Sequence, residues 1–158
     1  ARTLAFRSEQ PSGANPVEVR TLPGRGLAAV TRFDSDQLSL LDAAGREAMV
    51  KVANGPLGLT PLPGDRLLVL GYYSNAVSVV DLATGLVDTW PLILEGAPLV
   101  NPTHAAVGTD PDLAWVVQSG TDGHLLALDL QARAVVRALP INGLSYDVSV
   151  VPGPLSTP

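Results

Sequence analysis

The residues best suited to chemistry in this sequence are two histidines, His104 and His124, and two short carboxylate pairs, Asp34-x-Asp36 and Asp110-x-Asp112. An imidazole can act as acid, base or metal ligand near neutral pH. Clustered carboxylates supply the hard oxygen ligands that a divalent cation takes. Neither pair is followed by the glycine and distal glutamate of an EF-hand loop, so turn capping is the favoured reading of both. The histidines are well separated and no glutamate stands in zinc-protease spacing, so no metal site is assigned. No Gly-x-Ser-x-Gly elbow, phosphate loop or dinucleotide fingerprint occurs, and no catalytic residue is assigned. Cysteine is absent, which removes thiolate nucleophiles, disulfides and Cys-ligated zinc. No cofactor is predicted.

Composition narrows the partners. Acidic residues outnumber basic ones 15 to 10, and a net charge of −5 lacks the basic footprint that nucleic-acid binding requires. With 46% hydrophobic residues in 158, the sequence can bury a sizeable core in one domain. No apolar run is long enough to span a membrane, and no intact signal peptide is read at the start. The stretch 152–158, rich in Pro and Ser, reads as a linker or frayed tail.

The elements that would position these residues repeat. Asn15-Pro16-Val17, Gly55-Pro56-Leu57, Asn101-Pro102-Thr103 and Asn142-Gly143-Leu144 recur at intervals of roughly forty residues, the period of radial or solenoid arrays. After each of the first three comes an apolar run: Leu27 to Phe33, Leu67 to Tyr73 and Leu113 to Gln118. Polar turns follow at Asp34-Ser35-Asp36, Ser74-Asn75 and Ser119-Gly120-Thr121-Asp122-Gly123, with residue types that form Asx-turns or accept positive φ. The next strands match most closely: Leu38 to Asp42, Val77 to Asp81 and Leu125 to Asp129. Their closing aspartates are expected to accept hydrogen bonds from the following turn, where Gly45 and Gly85 supply a left-handed residue. Arg133 stands where the third glycine belongs, so that turn is expected to be built differently. Outer strands are expected at Glu47 to Val52, Leu86 to Ile93 and Ala134 to Leu139. With 14 prolines and 15 glycines and no sustained helical stripe, the fold is read as all-β.

Four antiparallel strands per unit at this period fit the blades of a β-propeller. Small residues at Gly58, Ala105, Ala106 and Gly108 suit innermost strands crowded near an axis. The middle unit, from Asn54 through Leu70 and from Ser74 to Gly85, resembles the YVTN-type propeller repeat: a Gly-Pro lead-in, a Pro-Gly-Asp turn, Ser-Asn, then Val-Ser-Val-Val-Asp and a Thr-Gly turn. The first and third units keep parts of that pattern; Arg133 and the long 94–102 connection depart from it. The resemblance implies a propeller used outside the cytoplasm, periplasmic or extracellular, as a binding scaffold or as part of a redox or hydrolytic assembly. It implies no catalytic residue.

Blades are expected at about 16–55, 56–101 and 102–143, with extra strands at 1–10 and 144–151, an incomplete ring. Propellers close with about four to eight blades. The expected partner is therefore protein that completes the ring: a different chain, a second copy, or further sequence of the same protein. Two functions stand open. One is a non-catalytic binding or assembly module; the other is a propeller portion of a quinoprotein-like or lactonase-like enzyme. The binding candidates are those that the topology sends to one face of the ring: Asn101, Thr103 and His104 from a lead-in, and Asp34, Asp36, Tyr72, Asn75, Asp122 and His124 from the first hairpin loops. For His104 the alternative is a histidine satisfied by a nearby carbonyl. For His124 it is a solvated loop residue.

Overall fold

The computed structural model describes residues 14–141 and 145–151. Fourteen strands are present and no α-helix occurs among the described residues. They form three four-stranded antiparallel meanders. The first blade is β1 (Pro16–Leu22), β2 (Leu27–Arg32), β3 (Gln37–Asp42) and β4 (Glu47–Lys51); the middle blade is β5 (Pro56–Leu62), β6 (Arg66–Gly71), β7 (Ala76–Asp81) and β8 (Val87–Pro91). A small hairpin of β9 (Ile93–Leu94) and β10 (Ala97–Pro98) leads to the third blade: β11 (Pro102–Val107), β12 (Leu113–Gln118), β13 (His124–Asp129) and β14 (Ala134–Pro140). Three blades do not close a ring, so the described fold is an incomplete propeller.

The period-2 geometry of strands explains how the blades stack. Leu67 and Val69 of β6 join Leu22, Ala29, Leu38 and Val52 of the first blade's side, while Leu68 and Leu70 turn the other way to meet Ala114, Val116, Leu126 and Leu128 of the third. The middle blade is apolar on both faces because both are buried, as its unbroken Leu-Leu-Val-Leu run records. Each fully buried Leu or Val contributes roughly 1.5–3 kcal/mol. The first and third blades each have one described blade neighbour.

Near the axis the innermost strands β1, β5 and β11 lie side by side. The Thr60 hydroxyl donates to the Ala105 carbonyl at 2.8 Å, and the Leu59 N–H donates to the Glu18 carboxylate at 2.7 Å. A Cβ at Gly58 would fall inside the van der Waals surface of the Thr103 carbonyl oxygen. That close approach is why a glycine stands there.

The repeated lead-ins have one geometry. Asn15, Gly55 and Asn101, each just before a proline, take left-handed φ of 48°, 66° and 54°. Their carbonyls accept the N–H of Phe33, Tyr72 and Ser119 at 2.8–3.1 Å, which ties each lead-in to the end of its second strand. The strand-end aspartates also behave alike. Oδ1 of Asp42, Asp81 and Asp129 each accepts two backbone N–H bonds of 2.8–2.9 Å from the next turn.

At the third outer turn Arg133 itself adopts φ 56°, the left-handed backbone of Gly45 and Gly85, with an ion pair to Asp88 and a cation–π contact 6.0 Å from the Trp90 centroid. The hairpin still differs from the other two, because the β13–β14 ladder shifts register between Ala127 and Leu128. Within the long 94–102 connection, Glu95 and Gly96, at φ 50° and 83°, make the tight turn of the β9–β10 hairpin. Of the extra strands, 1–10 and the tail 152–158 lie outside the described residues, as does Leu144. Residues 145–151 form no β-ladder. They lie near β11: Tyr146 lines one cleft with Thr103 and His104, and Val150 lies by Gly108.

Candidate functional site

The lead-ins and first hairpin loops share one face of the array, and specific hydrogen bonds fasten them together. Asp36, left-handed at φ 56°, accepts the Gly55 N–H at 3.0 Å and the Asn54 side-chain amide at 2.7 Å through Oδ1. Asn75, at φ 52°, accepts the Asn101 N–H at 3.0 Å in the same way. Each side chain belongs to one blade and grips the lead-in of the next. Asp36 and Asn75, read from sequence as binding candidates, thus each have Oδ1 engaged within the fold. At the matching place in the third blade stands Gly123, which has no side chain to repeat the grip.

Four other candidates come together. Tyr72, Asn101, Thr103 and His104 line an open cleft of about 380 Å³ with Leu57, Ser119, Gly120 and Tyr146. The middle blade contributes Leu57 and Tyr72, the third blade its lead-in and first hairpin loop, and Tyr146 follows from the trailing segment. The volume falls within the ordinary range of small-molecule sites, about 300–1,000 Å³.

The repeat explains why the cleft opens here. Phe33, Tyr72 and Ser119 occupy one position in successive blades, as their shared bond to the lead-in carbonyl shows. Phe33 packs against Tyr73 with ring centroids 4.9 Å apart and against Tyr72 at 6.1 Å. Where the third aromatic would sit there is a buried serine, and the space remains open.

Within the cleft the Thr103 hydroxyl donates to the Val117 carbonyl at 3.3 Å. His104 is half-buried, with Nδ1 buried and without a hydrogen-bond partner among the described residues. A buried polar atom without a partner costs about 1–3 kcal/mol, and Nε2 is left as the accessible polar atom of the ring. Neither the Asn101 amide nor the Ser119 hydroxyl has a side-chain partner among the described residues. Among the described residues no Lys, Arg, Asp or Glu lines the cleft.

The remaining candidates lie elsewhere. His124 opens β13 rather than lying in a loop, half-buried, with Nδ1 3.0 Å from Oε1 of its cross-strand neighbour Gln118. Asp34 and Asp122 are exposed and make no hydrogen bond or ion pair among the described residues. Asp110 caps its own turn, accepting the Asp112 N–H at 3.0 Å. Sequence reasoning left Leu57, Ser119, Gly120 and Tyr146 out of the site. The signal available for Ser119 was its alignment with Phe33 and Tyr72, a small residue in an aromatic position.

Charge is concentrated on the opposite face. Arg25 of the first blade donates to Asp65 at 2.9 Å and to the Leu82 carbonyl at 3.0 Å of the middle blade. The hydrogen bond from Arg25 holds the Asp65 carboxyl below the ordinary aspartate value, and the same bond raises Arg25. Backbone hydrogen bonds from Arg46 and from Thr84 do the same for Asp42 and Asp81, respectively.

No family model matches the sequence, and no curated protein matches it. Solved structures do. Hydrazine synthase of Kuenenia stuttgartiensis has a TM-score of 0.69 at 18% identity, over 80% of this chain and 37% of its own. Virginiamycin B lyase of Staphylococcus aureus gives 0.68 at 17% identity, over 87% of this chain and 47% of its own. The dihydro-heme d1 dehydrogenase NirN gives 0.66 at 15% identity, over 90% and 32%. All three are propeller-type proteins. At these identities the likeness shows the fold alone: the chain has the β-propeller fold. It spans less than half the length of each of these structures.

Proposed function

We propose that this chain is a YVTN-type propeller segment acting as a binding or assembly module, with its ring completed by protein beyond the three described blades. The observation that carries this reading is the asymmetry of burial. The middle blade packs both faces against neighbours, whereas the first and third blades each lack a described blade on one side. Val17, Val19 and Met49 are exposed on the first blade, and Val136 and Val151 at the other end. Uncovered blade faces of this kind mark interaction surfaces. The path of residues 145–151 beside β11 supports a fourth innermost strand that awaits the rest of its blade. A different chain, a second copy and further sequence of the same protein each satisfy the geometry. The ring would lie in the periplasm or outside the cell, with the cleft around Asn101, Thr103 and His104 at its channel mouth.

The second reading is a propeller portion of an enzyme whose active site further blades complete. The accessible edge of His104 in the cleft favours it. Size-exclusion chromatography with light scattering tests the first reading. Self-association is expected; a compact chain that stays monomeric across the concentration range overturns it.

A further inference from the structure

We infer that the cleft takes a neutral, polyhydroxylated ring, a pyranose of a glycan, rather than an anion, a cation or an apolar molecule. The inference rests on reading the cleft as the binding site of this face, and goes beyond it by naming what fits. Charge decides first. Among the described residues nothing in the lining carries a fixed charge, so a phosphate, carboxylate or ammonium group would be desolvated there with no counter-charge from them to meet it. Hydrogen bonding decides next. An entirely apolar ligand would cover the Asn101 amide, the Ser119 hydroxyl and the accessible edge of His104 and leave them unpaired, and a site built from such groups discriminates against a ligand that cannot bond them.

What remains is a neutral ligand with many hydroxyls and a flat apolar face. Tyr72 and Tyr146 both line the cleft, and the electron-rich faces of aromatic rings favour the polarised C–H groups of a sugar ring. The Asn101 amide offers a donor and an acceptor side by side, matched to neighbouring hydroxyls. The opening left by Ser119 admits the ring.

Saturation-transfer NMR on the full chain with methyl β-D-glucopyranoside, methyl α-D-mannopyranoside and methyl β-D-galactopyranoside tests this, with the acyclic polyol sorbitol as comparison. At least one pyranoside is expected to receive saturation on its ring C–H protons while sorbitol does not. Tyr72→Ala and Asn101→Ala should each weaken that binding about tenfold or more. Ser119→Phe, which restores the aromatic of the repeat, should abolish it while melting as cooperatively as the parent chain. Lys51→Ala, outside the cleft, should change nothing. No transfer to any of the three pyranosides, equal transfer to sorbitol, or transfer that survives Ser119→Phe in a folded protein overturns the inference. The cleft lies within the described residues of this chain, so light scattering that contradicted ring completion would leave this result to stand or fall by itself.

Discussion

The Asp36 carboxylate accepts the backbone N–H of Gly55 at 3.0 Å, across the boundary between the first and middle blades. The same oxygen accepts the Asn54 amide, so one side chain fixes the path of a whole lead-in. Asn75 and Asn101 repeat the relationship one blade further on. Together with the bonds of Thr60 to Ala105 and of Leu59 to Glu18 near the axis, these bonds add direction to the apolar contact between blades.

Removing that grip should loosen the array. Asp36→Ala leaves the Gly55 N–H, on a buried glycine, without its acceptor, and is expected to cost about 1–3 kcal/mol. Asp36→Asn, which copies Asn75, should recover most of it. Urea denaturation of the three proteins compares them directly; equal stability of the alanine variant and the parent would show that the bond carries no weight.

Crowding at the axis makes a second prediction. Gly58→Ala places a methyl against the Thr103 carbonyl and the Leu70 side chain, both within the packed inner layer, and should destabilise by about 1–3 kcal/mol. Gly24→Ala meets nothing within 4 Å and should stay within about 0.5 kcal/mol of the parent. Thermal melts of the pair separate crowding at the axis from a general cost of replacing glycine.

At position 133 the ordinary order of residues should invert. Arg133 holds a left-handed backbone that alanine also finds strained, while glycine does not. Arg133→Ala loses the Asp88 ion pair and the Trp90 contact yet keeps the strain. Arg133→Gly loses the same contacts and sheds the strain. Glycine is therefore expected to be the more stable variant by about 1 kcal/mol, read from denaturation midpoints at fixed slope.

Acid should weaken the turns and the opposite-face bridge together. Asp42, Asp65 and Asp81 have folded pKa values lowered from the ordinary value of 3.8. A lowered carboxylate binds fewer protons folded than unfolded, so its stabilisation is fully present above the unfolded value and is lost as pH falls through the folded one. A melting temperature that declines below about pH 4 is expected. Asp81→Asn should flatten part of that decline; an unchanged acid slope would remove Asp81 from the account.

Much of this molecule was legible because its signals are local. The recurring Asn-Pro and Gly-Pro lead-ins, aspartate at a strand end and alternation in Val77 to Asp81 are marks of backbone sterics and of hydrogen bonds within a few residues. Arg133 can stand in a glycine's place because a glycine preference is a difference of about a kilocalorie, which contacts to a neighbouring blade can offset. His124 was taken for a loop residue because the preceding turn is rich in Gly and Asp, and the ladder begins one residue sooner. The β9–β10 hairpin was missed because strands of two residues carry no periodicity to read.

The sequence by itself determined the repeat, the all-β class, the strand order within each blade and the face on which the candidate residues gather, all consequences of local geometry repeated at a fixed spacing. Tertiary structure alone decided which candidates are engaged within the fold and which line a cleft. Asp36 and Asn75 are alike in type to residues that bind ligands, and only the approach of the next blade's N–H groups assigns their Oδ1 atoms. The cleft itself exists because Ser119 leaves unfilled a volume bounded by Tyr72 of one blade and Tyr146 beyond the next, a void defined by distances between segments far apart along the chain.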